Sequence, residues 1–367
     1  MEPTPAAISS PLDLAHGPTW ANRFALAPLT NTQSHDDGTV SDDELRWLEA
    51  RGRGGTGLVM TCATYVAPAG QAWGGQLGIA SDAHLPGLTR LAEALRTTGT
   101  VSSVQLHHGG RRADPALSGR PNQCPWDDPR TGSVAMTTAE VEESVQDFVA
   151  AAVRAETAGF DGVEVHGAHG YLVGQFLDPR HNDRCDAYGG SMANRSRMLL
   201  EILAGIRDAT GPDFQLGLRL TPEGNGLTVA EGVEVAALVL TSGLLDYLDM
   251  SLWDVFMSPR GDVAAGEEER LLIDHFTGLE RGETRLGVAG KVLSAADATW
   301  CLERGADFVS VGMGAILHHD FAARAVADAG FVAVAPPVTR EHLAAEHVGR
   351  DFLDYLAKGW DGLVSQG

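Results

Sequence analysis

Cysteine is scarce and scattered. The four present, Cys62, Cys124, Cys185 and Cys301, lie far apart and form no CxxC pair. That spacing argues against zinc and iron–sulfur sites, so reduced thiols and no metal are expected. Bases are also few: 27 Lys+Arg against 49 Asp+Glu give a formal net charge of -22. Such a surface repels phosphate backbones and anionic bilayers, so neither a nucleic acid nor a membrane is an expected partner. No uninterrupted apolar run approaches membrane-spanning length. The N-terminus, MEPTPAAISSPLDLA, lacks the basic and apolar regions of a secretory signal, and a cytoplasmic protein is expected. Low-complexity tracts and a convincing linker are missing as well.

What is present suits a large α/β core. Of 367 residues, 44% are hydrophobic and 21% charged, and 44 are glycine, as many short turns require. Short buried-type runs at 24–27, 57–61, 101–106, 162–165, 215–220, 247–250, 285–289 and 308–311 read as strands. Helical patterns at 42–51, 88–97, 138–157, 194–208, 229–241 and 295–303 lie between them. Eight such units predict closure into a (β/α)8 TIM barrel, with an open doubly wound sheet as the alternative. A single domain is expected, with an N-terminal segment 1–21 and a C-terminal tail 332–367. Two βα connections are long, 109–135 and 178–191, and should extend over the C-terminal mouth, where barrels carry their sites.

Gly52-Arg-Gly54-Gly55-Thr-Gly57 matches GxGxxG. The dinucleotide reading needs a strand before it and a helix after it, and here the order is reversed. A helix end followed by an αβ turn is the better reading.

The chemistry-bearing stretch is Gly162-Val-Glu-Val-His166-Gly-Ala-His169-Gly-Tyr171, just past a buried strand. A metal would need a third ligand that is not nearby. Two neutral imidazoles can instead donate hydrogen bonds to one carbonyl or nitro oxygen, with a tyrosine two residues on to deliver a proton.

Several ordered motifs surround that stretch: Asn22-Arg-Phe-Ala-Leu-Ala-Pro28-Leu-Thr30, Gly54-Gly-Thr-Gly-Leu-Val-Met-Thr61 and Val104-Gln105-Leu-His-His-Gly-Gly-Arg111. Asn182-Asp-Arg-Cys-Asp-Ala-Tyr-Gly-Gly-Ser-Met-Ala-Asn-Arg195 and Leu218-Arg219-Leu-Thr-Pro222 follow. In these motifs the chain resembles the old yellow enzyme family over nearly its whole length. The resemblance implies non-covalent FMN at the barrel mouth, reduced by NADH or NADPH. Ala27, Pro28, Leu29 and Ala63, with the Thr30 hydroxyl, would meet the flavin near N5 and O4. Gln105 would meet the O2/N3 edge, and Arg219 would sit beside N1 and O2, a cation that stabilises the anionic reduced flavin. The phosphate would lie around Gly290 and Gly312. There the chain departs from the family's Gly-Arg with Gly312-Met313, and Lys291 is the candidate substitute cation.

The resemblance further implies that His166 and His169 bind the electron-withdrawing oxygen of an enone-type small molecule. Hydride would go to Cβ, and Tyr171 would protonate Cα. Trp253, with Phe256, would line the substrate pocket. The loop 182–195, His108 and Arg111 are read as structural. An amine demethylase or dehydrogenase on the same barrel, or a flavin-binding barrel without turnover, are the other readings. The choice of nicotinamide and the oligomeric state stay open at this point.

Overall fold

The computed structural model describes residues 7–261, 263, 266 and 269–365. Eight strands form the barrel: β1 (Phe24–Leu26), β2 (Leu58–Tyr65), β3 (Val101–His107), β4 (Gly162–Gly167), β5 (Gln215–Leu220), β6 (Tyr247–Ser251), β7 (Arg285–Ala289) and β8 (Phe308–Val311). Each pairs in parallel with its neighbours, and β1 closes on β8. Nearly every strand residue is buried, as expected when side chains fill the lumen and helices cover the outside. The barrel is the closed form of the two predicted alternatives.

The covering helices are α1 (Asp42–Arg53), α2 (Leu85–Arg96), α3 (Thr138–Ala158), α4 (Arg197–Ala209), α5 (Val229–Leu240), the single turn α6 (Asp274–Thr277), α7 (Ala295–Glu303) and α8 (Phe321–Ala327). Their starts follow from local chemistry. Thr137 and Glu140 form a reciprocal capping box on α3, and Thr228 and Glu231 do the same on α5. Ser41 and Ser294 cap α1 and α7. The helix expected at 194–208 is instead two pieces, Met192–Arg195 and α4, because the turn capped by Ser191 hands over at the buried Ser196.

The boundaries of four strands also differ from expectation. β1 stops at Leu26, one residue short of Ala27. β2 runs past Thr61 to Tyr65 because its register shifts between Met60 and Ala63, after which it resumes pairing with β3. β3 and β4 gain one and two residues at their C-terminal ends. The glycine-rich stretch does end α1: Gly55 carries the left-handed turn at φ 81. A Cβ on Gly54 would fall 2.0 Å from the carbonyl oxygen of His319.

The N-terminal segment plugs the lower end of the barrel. Leu12 and Trp20 pair across a short bridge. The Trp20 ring sits edge-on to Phe308 at 4.9 Å and to Tyr247 at 5.5 Å, and its N–H donates to Gln215 Oε1 at 3.0 Å. At the C-terminal end, α9 (Arg340–Ala345) and α10 (Arg350–Gly359) return to α1, with Phe352 against Trp47 at 4.9 Å. The excursion 109–135 carries a turn at Pro115–Ser118 and a ribbon of Gln123–Cys124 with Val134–Ala135. Asp128 ties it down through Arg111 at 3.0 Å and Arg130 at 2.9 Å. Among the described residues no helix is long and apolar enough to cross a membrane.

One buried acid gives a stability prediction. Glu44, in the first turn of α1, is fully buried, and neither carboxyl oxygen has a hydrogen-bond partner among the described residues. Burial pushes this carboxyl from 4.5 to about 7, opposed in part by the Asn31 and Cys62 side chains. Between those pH values the unfolded chain has lost the proton that the folded chain keeps. Stability therefore falls as pH rises through that window, and the loss is absent below it. Glu44→Gln should flatten this part of the curve, as read by urea unfolding at several pH values. An unchanged slope would count against it.

Candidate active site

Strand register assembles the floor of the mouth. Ala63 on β2 lies opposite Gln105 on β3, which lies opposite Glu164 on β4. One level higher, His166 on β4 lies opposite Arg219 on β5, which lies opposite Asp249 on β6. Polar residues two apart on one strand share a face, so Glu164 and His166, or Tyr247, Asp249 and Ser251, all point into the lumen.

That floor is a buried polar layer. Arg219 Nη1 donates to Asp249 Oδ2 at 2.7 Å, and Ser310 Oγ donates to the same oxygen at 2.8 Å. Gln105 Nε2 donates to Glu164 Oε1 at 2.7 Å. Burial, and then the Asp249 carboxylate, push the Glu164 carboxyl up, while Arg219 and Gln105 oppose the shift. Arg219 Nε is buried without a partner among the described residues. A buried donor of this kind is costly to leave unpaired. It suits the N1/O2 edge of a flavin.

Above the floor, β4 ends in the two imidazoles. The main-chain N–H of Ala168 donates to His166 Nδ1 at 3.2 Å, and His166 Nε2 lies 3.3 Å from His169 Nδ1. His169 Nε2 is 2.9 Å from Ser251 Oγ. His169 adopts φ 60, held by its own N–H to Thr221 Oγ1 at 2.7 Å and by Arg112 Nη1 donating to its carbonyl at 2.5 Å. Burial, then the His169 and His107 rings and the Arg219 and Arg112 charges, hold His166 well below the ordinary imidazole range. Burial, then Arg219 and Arg112, bring His169 down to about 3. Both rings are therefore neutral at neutral pH.

The Tyr171 ring lies 5.2 Å from the His166 ring and 4.3 Å from the His107 ring, and the Arg112 guanidinium stands 4.7 Å over it. Burial raises the Tyr171 phenol, which keeps it protonated. Trp253, 45% exposed and at φ 65, sets its ring 5.3 Å from His169 on the open side. Phe256 instead packs on Trp300 at 4.6 Å.

The structure thus brings Ala63, Gln105, His166, His169, Tyr171, Arg219 and Trp253 to one mouth. Pro28, Leu29 and Thr30 follow β1 as partly buried residues, and a Cβ on Gly312 would lie 3.4 Å from Leu29 Cδ2 and 3.8 Å from Ala27 Cβ. Gly290 abuts the turn at Trp253–Asp254. Lys291, 63% exposed, places Nζ 3.2 Å from Asp254 Oδ2. Met313 is partly buried and lines a cavity of about 290 Å³ with Pro336, Trp360 and Leu363. Elsewhere, Asn182 donates to the Phe176 and Tyr188 carbonyls at 2.7 and 2.9 Å, and Arg195 donates to that of Leu177 at 3.0 Å, which knits the loop 182–195 together. His108 Nδ1 accepts from the N–H of Gly110 at 3.1 Å.

Sequence reasoning missed Glu164, Asp249, Ser251, Ser310, His107 and Arg112. The signal for the first five was available: polar residues alternating within otherwise apolar strands mark the lumen face. Arg112 had no local signal, because a turn brings it over Tyr171 from the excursion after β3.

Comparison with known proteins agrees with this fold. Residues 8–326 match the NADH:flavin oxidoreductase / NADH oxidase family. A probable NADH-dependent flavin oxidoreductase of Bacillus subtilis is 35% identical over 324 residues, 85% of this chain and 86% of the relative. An NADH:acrylate oxidoreductase of Vibrio harveyi is 31% identical over 91% of this chain, which spans 34% of that longer relative. The structure of morphinone reductase superposes with a TM-score of 0.78 at 26% identity, covering 99% of this chain and 100% of that one. The unpartnered Arg219 Nε fits FMN, and the chain belongs to the NADH:flavin oxidoreductase / NADH oxidase family as an FMN-dependent, NAD(P)H-linked oxidoreductase of the old yellow enzyme type.

Proposed function

We propose that this oxidoreductase reduces C=C bonds activated by a neighbouring carbonyl or nitro group. The observation that carries the reading is the pair of neutral imidazoles of His166 and His169, 3.3 Å apart, beside Tyr171 at the mouth. Bound FMN supplies the hydride, taken from NADH or NADPH. His166 and His169 orient the electron-withdrawing oxygen and stabilise the charge that develops on it. Tyr171, a protonated phenol beside the pair, delivers the proton to Cα. Trp253 walls the open side of the pocket. The name of one relative, an NADH:acrylate oxidoreductase, belongs to the same class of bond.

Anaerobic stopped-flow tests the reading. NADH or NADPH should bleach the flavin, and cyclohexenone should restore its colour. In Tyr171→Phe the second phase should slow by about 10²-fold, the scale of a lost general acid, while the first stays near normal. Slowed reduction with unaffected reoxidation would rule out this role for Tyr171.

The phosphate is placed around Gly290 and Gly312 in the same reading. Lys291 shares its charge with Asp254, and exposed pairs contribute at most about 1 kcal/mol, so Lys291→Ala should weaken FMN binding less than tenfold. Met313→Arg should tighten it, most at low salt. FMN dissociation constants across a sodium chloride series decide both.

A further inference from the structure

Two imidazoles that serve one oxygen must each present an N–H to it. The proton on His166 is assigned by the backbone: Ala168 N–H donates to Nδ1 at 3.2 Å, so the ring proton sits on Nε2, facing His169. In the arrangement seen, His169 Nδ1 accepts that proton at 3.3 Å. His169 then carries its own proton on Nε2 and donates it to Ser251 Oγ at 2.9 Å. This tautomer offers a ligand oxygen one donor, not two.

For both rings to donate, the His169 proton must be on Nδ1, and Nε2 becomes a bare lone pair. Its partner is then Ser251 Oγ. A hydroxyl can reverse its role from acceptor to donor by rotating about one bond. Arg219 Nη2, 3.4 Å from the same Oγ, biases that rotation. A cation on one side of the oxygen turns the hydroxyl proton away from itself, toward His169. Arg219 is in turn held by Asp249 at 2.7 Å. Thr221 and Arg112 fix the His169 backbone and Trp253 packs on its ring, which leaves a change of tautomer as the available adjustment.

We propose that Ser251 is a positioning residue that lets His169 move its proton to Nδ1, so that both imidazoles donate to the oxygen of the electron-withdrawing group. No atom is gained or lost: one proton changes nitrogen on His169 and one hydroxyl reverses direction. The inference rests on the proposed function, because it requires an acceptor oxygen between the rings.

The test uses the oxidised, FMN-loaded protein with cyclohexenone, which binds without turnover when no reductant is present. Histidine ¹⁵N shifts report the tautomer, the flavin spectrum reports binding and FMN retention, and steady-state kinetics separate KM from kcat. Wild type and Ser251→Thr should show the Nδ1–H form of His169 on addition of cyclohexenone. Ser251→Ala should keep the Nε2–H form and bind about tenfold more weakly, the scale of one unsatisfied buried acceptor. Its rate of flavin reduction should be less affected, and Ser251→Thr should restore binding. If Ser251→Ala keeps wild-type affinity, or its His169 changes tautomer as in wild type, the inference is overturned while the proposed function stands. If wild type itself neither binds nor reduces cyclohexenone, the proposed function falls and takes the inference with it.

Discussion

Replacing His166 by alanine is expected to lower kcat/KM for cyclohexenone by roughly 30- to 1000-fold, the effect of losing about 2–4 kcal/mol of transition-state stabilisation from one oxyanion donor. His166 is the ring whose donor is fixed. Its Nδ1 is occupied by the Ala168 N–H, so its Nε2–H points into the site whichever tautomer His169 adopts. FMN should be retained, because Arg219 and Gln105 have their own anchors in Asp249 and Glu164. His166→Asn keeps an N–H donor on a shorter stem and should recover part of the loss. Steady-state kinetics with the flavin content measured in parallel check this. Wild-type turnover in His166→Ala would remove the pair from the mechanism.

Arg219→Ala should damage both stability and cofactor binding. The Asp249 carboxylate is buried, and Arg219 is the cation paired with it. Removing one partner of a buried pair leaves an uncompensated charge and costs about 3–5 kcal/mol. The second acid, Glu164, already feels Asp249, so the variant would hold two carboxyls in the lumen without their guanidinium. Glu164 would lose the Arg219 charge that opposes its raised protonation, so the variant should be least destabilised in acid and lose stability as pH rises. Asp249→Asn in the Arg219→Ala background should restore much of the stability. It should not restore the flavin's reduction potential, because the cation proposed to lie beside N1 and O2 is still absent. Urea unfolding and potentiometry of the single and double variants separate the two effects. A single variant as stable as wild type, with an unchanged potential, would contradict the assignment of Arg219.

How much of this was legible beforehand depends on the range of the interaction involved. All eight strands stand where their apolar runs place them, since a strand buried on both faces announces itself in a handful of residues. Helix starts were equally local: Thr137 with Glu140, and Thr228 with Glu231, carry their caps within four residues. The extension of β2 to Tyr65 was not legible. It depends on pairing with Leu77 and Gly78 and on a register shift that no run of residues reveals. Lys291 shows the same limit, because its pairing with Asp254 was invisible to a reading of motifs.

The sequence by itself determined the barrel and the family and singled out His166, His169 and Tyr171 as the proposed catalytic group, because each reading depends on residues close together in the chain or on motifs at successive strand ends. Only the tertiary structure decided the company these residues keep. Closing β1 on β8 and stepping the register around the barrel set Arg219 between His166 and Asp249, and Gln105 beside Glu164. The same closure brought Ser251 to His169 across 82 positions, and Ser310 to Asp249 across 61. It also turned Leu12 and Trp20 from an unremarkable leader into the plug of the lower end. The physical reason is that burial converts ordinary polar side chains into strong, obligatory partners, and burial is a property of the closed barrel rather than of any segment.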